Sequence, residues 1–456
     1  MAIDLAIANL DEFTYGKSPK PIRCGRGVEI GAGRVIPEIN FTLPSIDINP
    51  ETWQEVLRQY SEMITGICER AVALDSSGIL VEVETLPPMT VNPSWGVEVS
   101  KLVADKLDHY FEKRQLHSAF RLTPNDTREH QRPPRMRSGR YWEGMKEFFE
   151  RSGEAGADLL SIESTGGKEI NDIALMDADV HMLVFALGII APRDMEFLWR
   201  EIVDSCKRNN VIPAGDSACG FANTAMVLAE QRMLPRVFAA LVRIASVPRS
   251  LVAFEQGAVG PSKDCAYEGP YIKAITGSPI SMEGRTAACA HFSSVGNISQ
   301  AVCDCWSNES VQNIRLLSGY APTVCMEQLE YDCRLLNVAS QTPEDRRKMR
   351  DWLVASDSSR DPQAYVLRPD VVMRIAKTMI EEDTPYLRVR AGLRSGLSEI
   401  RTAISENQLK LPTTEMKWMD RLERQIDSLP SDETEFIEMM LPKLADAPWI
   451  PSEYGF

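Results

Sequence analysis

The sequence is poor in basic residues and in histidine. Its 456 residues include 50 Lys and Arg against 65 Asp and Glu, which gives a formal net charge of −15, and only five His. Proteins that bind nucleic acids or anionic membrane surfaces present clusters of basic side chains, so this net negative charge argues against both as partners. Five scattered histidines are also too few to indicate a His-rich metal site.

Segments that direct a protein into or across a membrane are not expected either. No run of about 18 uninterrupted apolar residues is present, so no transmembrane helix is predicted. The N-terminal stretch Met1-Ala-Ile-Asp4-Leu has no basic region followed by an apolar one, so no secretory signal is expected. Without export, the ten cysteines are expected to be reduced thiols in a cytoplasm, most of them small buried residues and some available to bind a metal.

The sequence does contain an alternation of strand-like and helical segments. Short apolar runs are separated by stretches with apolar residues at helical spacing, an alternation typical of a parallel sheet covered by helices. The length of this region favours a closed (β/α)8 barrel over an open sheet, with an eighth strand that the pattern does not place. The predicted strands lie near Val35–Ile39, Gly78–Glu84, His117–Thr123, Leu159–Ile162, the run from Val211, Leu251–Phe254 and Ile272–Thr276.

The limits of this alternation divide the chain into three parts. Residues 1–30 are predicted to be an irregular extension, because Lys17-Ser-Pro-Lys-Pro21 is typical of a loop. Residues 31–309 form the predicted barrel, and residues 310–456 form an amphipathic helical segment that packs on it. Within the barrel, the Arg-rich stretch Thr127–Arg140 is expected to be a surface loop or lid.

Side chains suited to chemistry follow three of the predicted strands. Glu163 comes directly after Leu159–Ile162, and Cys219 and Cys265 follow the next two strands. Parallel barrel strands deliver such side chains to the C-terminal end of the barrel, where barrel enzymes carry their active sites. If the strands are neighbours, their ends lie about 5 Å apart per strand, so the three side chains can share one ion. Two thiolates and a carboxylate suit Zn²⁺, with a fourth position left open as in catalytic zinc sites.

Other interpretations of the same residue types remain open. Either cysteine could be a buried core residue, and the glutamate could bind a substrate rather than a metal. Cys289 and His291 form a rival ligand pair beyond the last predicted strand. Cys303 and Cys305 also resemble a chelating pair, but a helix is predicted across Ser299–Trp306, and it would point the two thiols about 200° apart.

Six longer motifs extend these observations along essentially the whole chain. They are Asn92-Pro-Ser-Trp95-Gly, Glu163-Ser-Thr-Gly-Gly-Lys-Glu169, Gly215-Asp216 with Cys219 and Asn223-Thr-Ala-Met226, Gly260-Pro-Ser-Lys-Asp-Cys265-Ala-Tyr-Glu268, Cys303-Asp-Cys-Trp-Ser-Asn-Glu309 and Tyr454-Gly-Phe456. Together they resemble the methanol:corrinoid methyltransferases. The resemblance implies a (β/α)8 barrel similar to that of uroporphyrinogen decarboxylase, with an added helical segment. It also implies one zinc held by Glu163, Cys219 and Cys265, a partner protein that carries cobalamin, and a homodimeric core.

The activity implied by the resemblance is transfer of the methyl group of methanol to the Co(I) corrinoid of the partner, in anaerobic one-carbon metabolism. Zinc would act as a Lewis acid on the methanol oxygen while the corrinoid attacks the carbon. A proton donor would help the hydroxide to leave, and Asp216 and Asp264 are candidates because they are close to the ligands in sequence. The alternatives are another methyl donor such as a methylamine or a methoxylated compound, a zinc-free decarboxylase or hydrolase, and a non-catalytic corrinoid-binding scaffold.

Overall fold

The computed structural model describes residues 4–41, 46–263, 265–284, 294–310 and 314–456. Its strands are β1 (Lys17–Cys24), β2 (Val28–Ala32), β3 (Ile36–Phe41), β4 (Ile79–Thr85), β5 (Ser118–Pro124), β6 (Leu159–Ile162), β7 (Ile212–Asp216), β8 (Ser281–Glu283), β9 (Cys305–Ser310), β10 (Arg315–Leu316) and β11 (Gly319–Tyr320). Its α-helices are α1 (Trp53–Ala73), α2 (Pro87–Val91), α3 (Pro93–Arg114), α4 (Gly139–Glu150), α5 (Lys168–Asp177), α6 (Val180–Phe185), α7 (Ala191–Asn209), α8 (Thr224–Glu230), α9 (Arg236–Gln256), α10 (Gly269–Thr276), α11 (Gly296–Gln300), α12 (Ala321–Ala339), α13 (Pro343–Asp357), α14 (Pro362–Tyr365), α15 (Pro369–Ile380), α16 (Pro385–Ser405), α17 (Thr413–Asp427) and α18 (Glu433–Met440). Shorter 3-10 turns lie at Leu10–Glu12, Thr127–His130, Leu441–Leu444 and Pro451–Tyr454, and π-helical turns at Ala186–Ile190 and Cys219–Asn223.

Seven parallel strands form one curled sheet in the order β7-β6-β5-β4-β3-β9-β8. Residues 259–262 fill the place between the two outer strands. On one side, Val259 N donates to Pro213 O of β7 at 2.9 Å, and on the other, Ser262 N donates to Pro279 O at 3.2 Å. The predicted α/β barrel with an additional helical segment is confirmed, and its eighth position is a short irregular segment.

The inside of the barrel is filled by a buried ion pair. Arg121 Nε of β5 donates to Glu38 Oε1 of β3 at 2.7 Å, and both side chains are fully buried. Arg121 Nη1 also donates to Pro261 O at 2.9 Å, which ties β5 to the irregular segment that closes the sheet. Side chains therefore occupy the inside of the sheet at this level, as they do in barrels of eight parallel strands.

An antiparallel hairpin of β1 and β2 covers the N-terminal end of the barrel. Its Cys24, Val28 and Ile30 pack against residues near the starts of the barrel strands, namely Ile36, Leu80, Ala119, Leu159, Ala214 and Cys305. The prediction that residues 1–30 are irregular is therefore wrong. The prolines that indicated a loop lie within β1, because an edge strand tolerates residues without an amide hydrogen.

Two of the predicted strands are helices. Leu251–Phe254 lies inside α9, and Ile272–Thr276 belongs to α10, with β8 following it. Both apolar runs are short, and a helix buried on all sides has no polar face to distinguish it from a buried strand. Among the described residues, α9 is also the helix long and apolar enough to cross a membrane, but 94% of its apolar stretch is buried inside the fold, as in a core helix.

The Arg-rich stretch Thr127–Arg140, predicted as a surface loop or lid, is anchored in the core at one end. Arg128 is fully buried and forms ion pairs with Asp126 at 2.8 Å and with Asp194 of α7 at 2.9 Å. A buried guanidinium loses its hydration and persists only when such partners replace the water. The expectation of a surface position therefore fails for Arg128, while other residues of the stretch, such as Arg135, are exposed.

Helices α13, α14, α15 and α16 each begin at a proline. Pro362 starts α14 and Pro369 starts α15. Proline suits the first helical turn because its fixed φ matches the helix. An amide hydrogen at this position would have no partner within the helix, so its absence costs nothing. Helix α16 packs against α9, so one apolar core extends from the barrel into the helical segment.

Candidate metal centre

Three ligand-type side chains converge at the mouth, the end of the barrel formed by the C-terminal ends of its strands. Glu163 follows β6, Cys219 follows β7, and Cys265 follows the irregular segment 259–262, so the three come from neighbouring positions around the barrel. One ligand atom of each lies within 4.8 Å of the others. This is the one group of three or more such residues found in the described ranges, and we call it the ligand triad.

The members of the ligand triad already interact with one another. Cys265 Sγ donates to Glu163 Oε1 at 3.0 Å, and Asn223 Nδ2 lies 3.8 Å from Cys219 Sγ. A hydrogen bond with Cys265 lowers the pKa of the Cys219 thiol, but burial and the nearby carboxylate of Glu163 raise it to about 12. Without a cation the thiol therefore keeps its proton, and a metal ion that binds it displaces that proton.

Lys263 neutralises carboxylates beside the triad. Its Nζ lies 2.6 Å from Glu82 Oε1, 2.6 Å from Glu84 Oε1 and 3.6 Å from Glu163 Oε1, and its side chain is 1% exposed. The sequence motifs alone predicted no role for these residues. One signal was available, because Glu82 and Glu84 stand two positions apart in an apolar strand and therefore project from the same face.

The residues after Glu163 are fixed by buried ion pairs. We call residues 163–167 the Glu163 loop. Ser164 N donates to Asp216 Oδ1 at 3.2 Å, and Ser164 O accepts from Arg249 Nη2 at 2.9 Å. Arg249 also pairs with Asp216 at 2.9 Å, so the two charges neutralise each other beneath the loop. Thr165 N donates to Asp126 Oδ2 at 2.8 Å, which connects the loop to the end of β5.

The two glycines of this loop are required by close contacts. A Cβ on Gly166 would lie 2.2 Å from Asp194 Oδ2, so no larger residue fits there. Gly167 has a φ of +86°, in the left-handed region that favours glycine, and it precedes α5. Its amide N donates to the hydroxyl of Tyr454 at 3.2 Å. The spacing of the glycines therefore serves a turn from strand to helix that presents Glu163 at the mouth.

The two cysteine loops are tied to each other. Ala266 N donates to Ser217 Oγ at 3.0 Å, and Ala218 N donates to Glu268 Oε1 at 2.8 Å. Burial raises the pKa of Glu268, whose Oε1 also accepts from Ser250 Oγ at 2.7 Å. Hydrogen bonds thus join the residues next to Cys219 to the residues next to Cys265. They hold the two cysteine loops together in addition to any contact between the thiols.

The sequence also predicted two candidate proton donors and two rival ligand pairs. Asp216 is buried and accepts hydrogen bonds on both oxygens, from Ser164 N and Arg249 on Oδ1 and from Trp199 Nε1 on Oδ2 at 2.9 Å. Asp264, Cys289 and His291 lie outside the described residues. The prediction of a helix across Ser299–Trp306, around Cys303 and Cys305, is wrong, because α11 ends at Gln300. Cys305 begins β9 and packs at the N-terminal end of the barrel.

A parallel barrel that carries two thiols and a carboxylate at its mouth defines an α/β-barrel enzyme with a candidate metal centre. Comparison with known proteins narrows this class. Residues 2–455 match the family described as the methanol-cobalamin methyltransferase B subunit, MtaB. The chain belongs to this family.

Two relatives cover nearly the whole chain. The methanol–corrinoid protein co-methyltransferase of Methanosarcina barkeri (strain Fusaro / DSM 804) is 38% identical over 459 residues, which is 99% of this chain and 98% of the relative. A chain in the crystal structure of the methanol:cobalamin methyltransferase complex MtaBC from Methanosarcina barkeri matches with a TM-score of 0.95 and 37% identity, covering 100% of this chain and 99% of that one. The protein is a methyltransferase, and the family resemblance noted in the sequence is confirmed.

Proposed function

We propose that this protein transfers the methyl group of methanol to the corrinoid of a partner protein, at a zinc centre held by Glu163, Cys219 and Cys265. The observation that carries the proposal is the convergence of the three ligand atoms within 4.8 Å at the barrel mouth. The family and both relatives are named for methanol and for a cobalamin or corrinoid protein, which supports the same substrate and partner.

The donor set fits zinc. Ligand atoms around one tetrahedral zinc lie roughly 3.5–4 Å apart, given bond lengths of about 2.0–2.3 Å, so the triad requires little rearrangement. Thiolates favour zinc over the hard cations magnesium and calcium. Three protein ligands leave one position for a substrate oxygen. When bound, zinc supplies a Lewis acid that withdraws charge from the oxygen of the methyl donor.

Lys263 compensates the charge of the site. Two thiolates and one carboxylate carry three negative charges against the two of zinc, and Glu82 and Glu84 add further carboxylates nearby. The ammonium group of Lys263 contacts all three glutamates, which reduces the excess negative charge around the donor. In this proposal Lys263 holds the carboxylates in place and does not react.

Asp216 positions the Glu163 loop. Its two oxygens accept hydrogen bonds from Ser164 N, Arg249 and Trp199, so the carboxylate is engaged in holding this loop against α7 and α9. These contacts favour a positioning role over the predicted proton donation. Asp264 stays a candidate from its place in the sequence alone, next to Cys265.

The partner has to approach the mouth from outside. The Arg121–Glu38 pair and the β1–β2 hairpin fill the barrel below the triad, so a corrinoid ring cannot reach the site from that side. We propose that the corrinoid protein covers the mouth, including exposed parts of Thr127–Arg140. A homodimeric core and a cytoplasmic location complete the proposal, and the nine described cysteines, all free thiols, fit a reducing compartment.

The test is an assay of methyl transfer. Zinc-loaded protein, methanol and cob(I)alamin should yield methylcobalamin, followed by its visible absorption, and protein treated with a chelator should be inactive. A panel with a methylamine and a methoxylated aromatic compound identifies the donor. If the zinc-loaded protein ignores methanol but demethylates another donor, methanol is the wrong substrate. If it methylates cobalamin without any bound metal, the zinc centre is wrong.

A further inference from the structure

A segment near the far end of the chain reaches the Glu163 loop. Tyr454 is fully buried, and its hydroxyl accepts from Gly167 N at 3.2 Å and donates to Glu169 Oε1 at 2.6 Å. Gly167 is the last residue of the loop, and Glu169 lies in the first turn of α5. One phenol oxygen thus holds the turn by which the chain passes from Glu163 into α5, across 287 sequence positions.

The residues beside Tyr454 are themselves fixed to the mouth. Glu453 accepts on Oε2 from Arg137 N at 2.6 Å and on Oε1 from Ser138 Oγ at 2.6 Å. The guanidinium carbon of Arg193, in α7, lies 4.0 Å from the centre of the Phe456 ring. The 453–456 segment therefore contacts the Arg-rich stretch after β5, the Glu163 loop after β6 and the helix α7, and Tyr454 is placed rigidly.

The metal ligand itself depends on this loop. Ser164 and Thr165 are held from below by buried aspartates, and Gly166 packs on Asp194, as described above. The amide of Gly167, in contrast, has the hydroxyl of Tyr454 as its partner. Because a glycine backbone is conformationally permissive, this hydrogen bond limits the directions the loop can take at Gly167, whose φ is +86°.

We propose that Tyr454 is a positioning residue for the metal centre: its hydroxyl fixes the end of the Glu163 loop, so that the Glu163 carboxylate is presented to the ion together with the two thiols. The inference rests on the proposed zinc site. Tyr454 then takes part in metal binding although it lies outside the ligand triad. A preformed ligand set binds more tightly, since less conformational freedom is lost when the ion enters.

The test uses Tyr454→Phe, which keeps the ring and removes the hydroxyl. Its matched control is Tyr331→Phe, on the outer face of α12, where the ring is exposed. In metal-free protein, Tyr454→Phe should increase amide hydrogen exchange at Gly167 and in the Glu163 loop. In a competition with a chromophoric chelator, it should weaken zinc binding about tenfold, at the low end of the effect of removing groups that support a ligand. The control should change neither measurement.

A double-mutant cycle separates positioning from general destabilisation. The background is Glu163→Gln, in which both thiols and a neutral amide oxygen remain to hold the ion weakly. If Tyr454 acts through the Glu163 carboxylate, then Tyr454→Phe should have no further effect on zinc affinity in this background. The same fold-change in both backgrounds would overturn the inference, because the hydroxyl would then act on the fold as a whole. Equal zinc affinity of wild type and Tyr454→Phe would overturn it as well. A wild-type protein that binds no zinc would overturn the metal centre itself and this inference with it.

Discussion

Cys265 Sγ donates a hydrogen bond to Glu163 Oε1 at 3.0 Å, although the two residues are 102 positions apart in the chain. The contact exists because β6, β7 and the irregular segment 259–262 are neighbours around the barrel. Each strand end brings one side chain to the same place, and Cys219 completes the group. A site of this kind depends on strand order more than on any local motif.

Removal of either thiol should abolish zinc binding without unfolding the protein. Cys219→Ala and Cys265→Ala should each lose the single zinc and the methyl transfer activity, because two remaining ligands hold the ion poorly. Cys325→Ala is the control, since that free cysteine lies on α12, outside the triad. Elemental analysis of the purified proteins measures the zinc, and circular dichroism measures the fold. Stoichiometric zinc in either triad variant would show that the ligand set is wrong.

Replacement of Lys263 by an apolar residue should destabilise the fold. Lys263→Met keeps the length of the side chain but leaves Glu82 and Glu84 without the cation they contact at 2.6 Å. Removing one partner of a buried ion pair costs about 3–5 kcal/mol in the free energy of unfolding. Denaturant titration measures the change, with Lys207→Met, an exposed lysine on α7, as the control. An unchanged free energy for Lys263→Met would contradict the buried network.

The pH profile should distinguish the role of Asp216. Asp216→Asn weakens the pairing with Arg249 and should lower the rate, by about 10–100-fold if the loop is loosened. As a positioning residue, Asp216 supplies no proton, so the shape of the pH–rate profile should be unchanged. A profile that loses one limb in this variant would instead identify Asp216 as the proton donor. Asp264→Asn, measured in parallel, tests the other candidate by the same criterion.

Stability should depend on pH through Glu169. Burial raises the pKa of its carboxyl from 4.5 to about 7, against the hydrogen bond from Tyr454 that lowers it. The folded state thus binds the proton more tightly than the unfolded chain. The contribution to stability is complete below pH 4.5 and is lost as the pH rises through about 7.

The matched variant for this effect is Glu169→Gln, which resembles the protonated form at every pH. Its free energy of unfolding relative to wild type should increase by about 3 kcal/mol between pH 4.5 and pH 8, from the pKa shift. Glu381→Gln, an exposed position at the end of α15, should show no such trend. Denaturant titrations at several pH values provide the measurement. A constant difference across this range would mean that folding does not raise the pKa of Glu169.

The corrinoid protein should protect the mouth from hydrogen exchange. Exchange compared with and without the partner should fall in Thr127–Arg140 and in the Glu163 loop, because the triad opens to that side. The β1–β2 hairpin covers the opposite end of the barrel and should be unaffected, which makes it the internal control. Protection confined to the hairpin would place the partner at the wrong end for transfer to the corrinoid.

The sequence by itself determined the types of the ligands and most of the elements that carry them. Leu159–Ile162 is short, apolar and followed by Glu163 and two glycines, and each of these features is local. Local periodicity also predicted the alternation of strands and helices, but it failed where burial is uniform. Leu251–Phe254 has the composition of a strand and lies in α9, because a fully buried helix has no polar face.

Only the tertiary structure decided which side chains meet. The order of strands around the barrel places Glu163, Cys219 and Cys265 together, and no spacing along the chain encodes the 4.8 Å that encloses their ligand atoms. The same holds for Lys263 among its carboxylates and for Tyr454 on the amide of Gly167. Sequence patterns report periodicity and chemical type, whereas a contact between distant positions depends on how the layers pack, so these partners appear only in the folded chain.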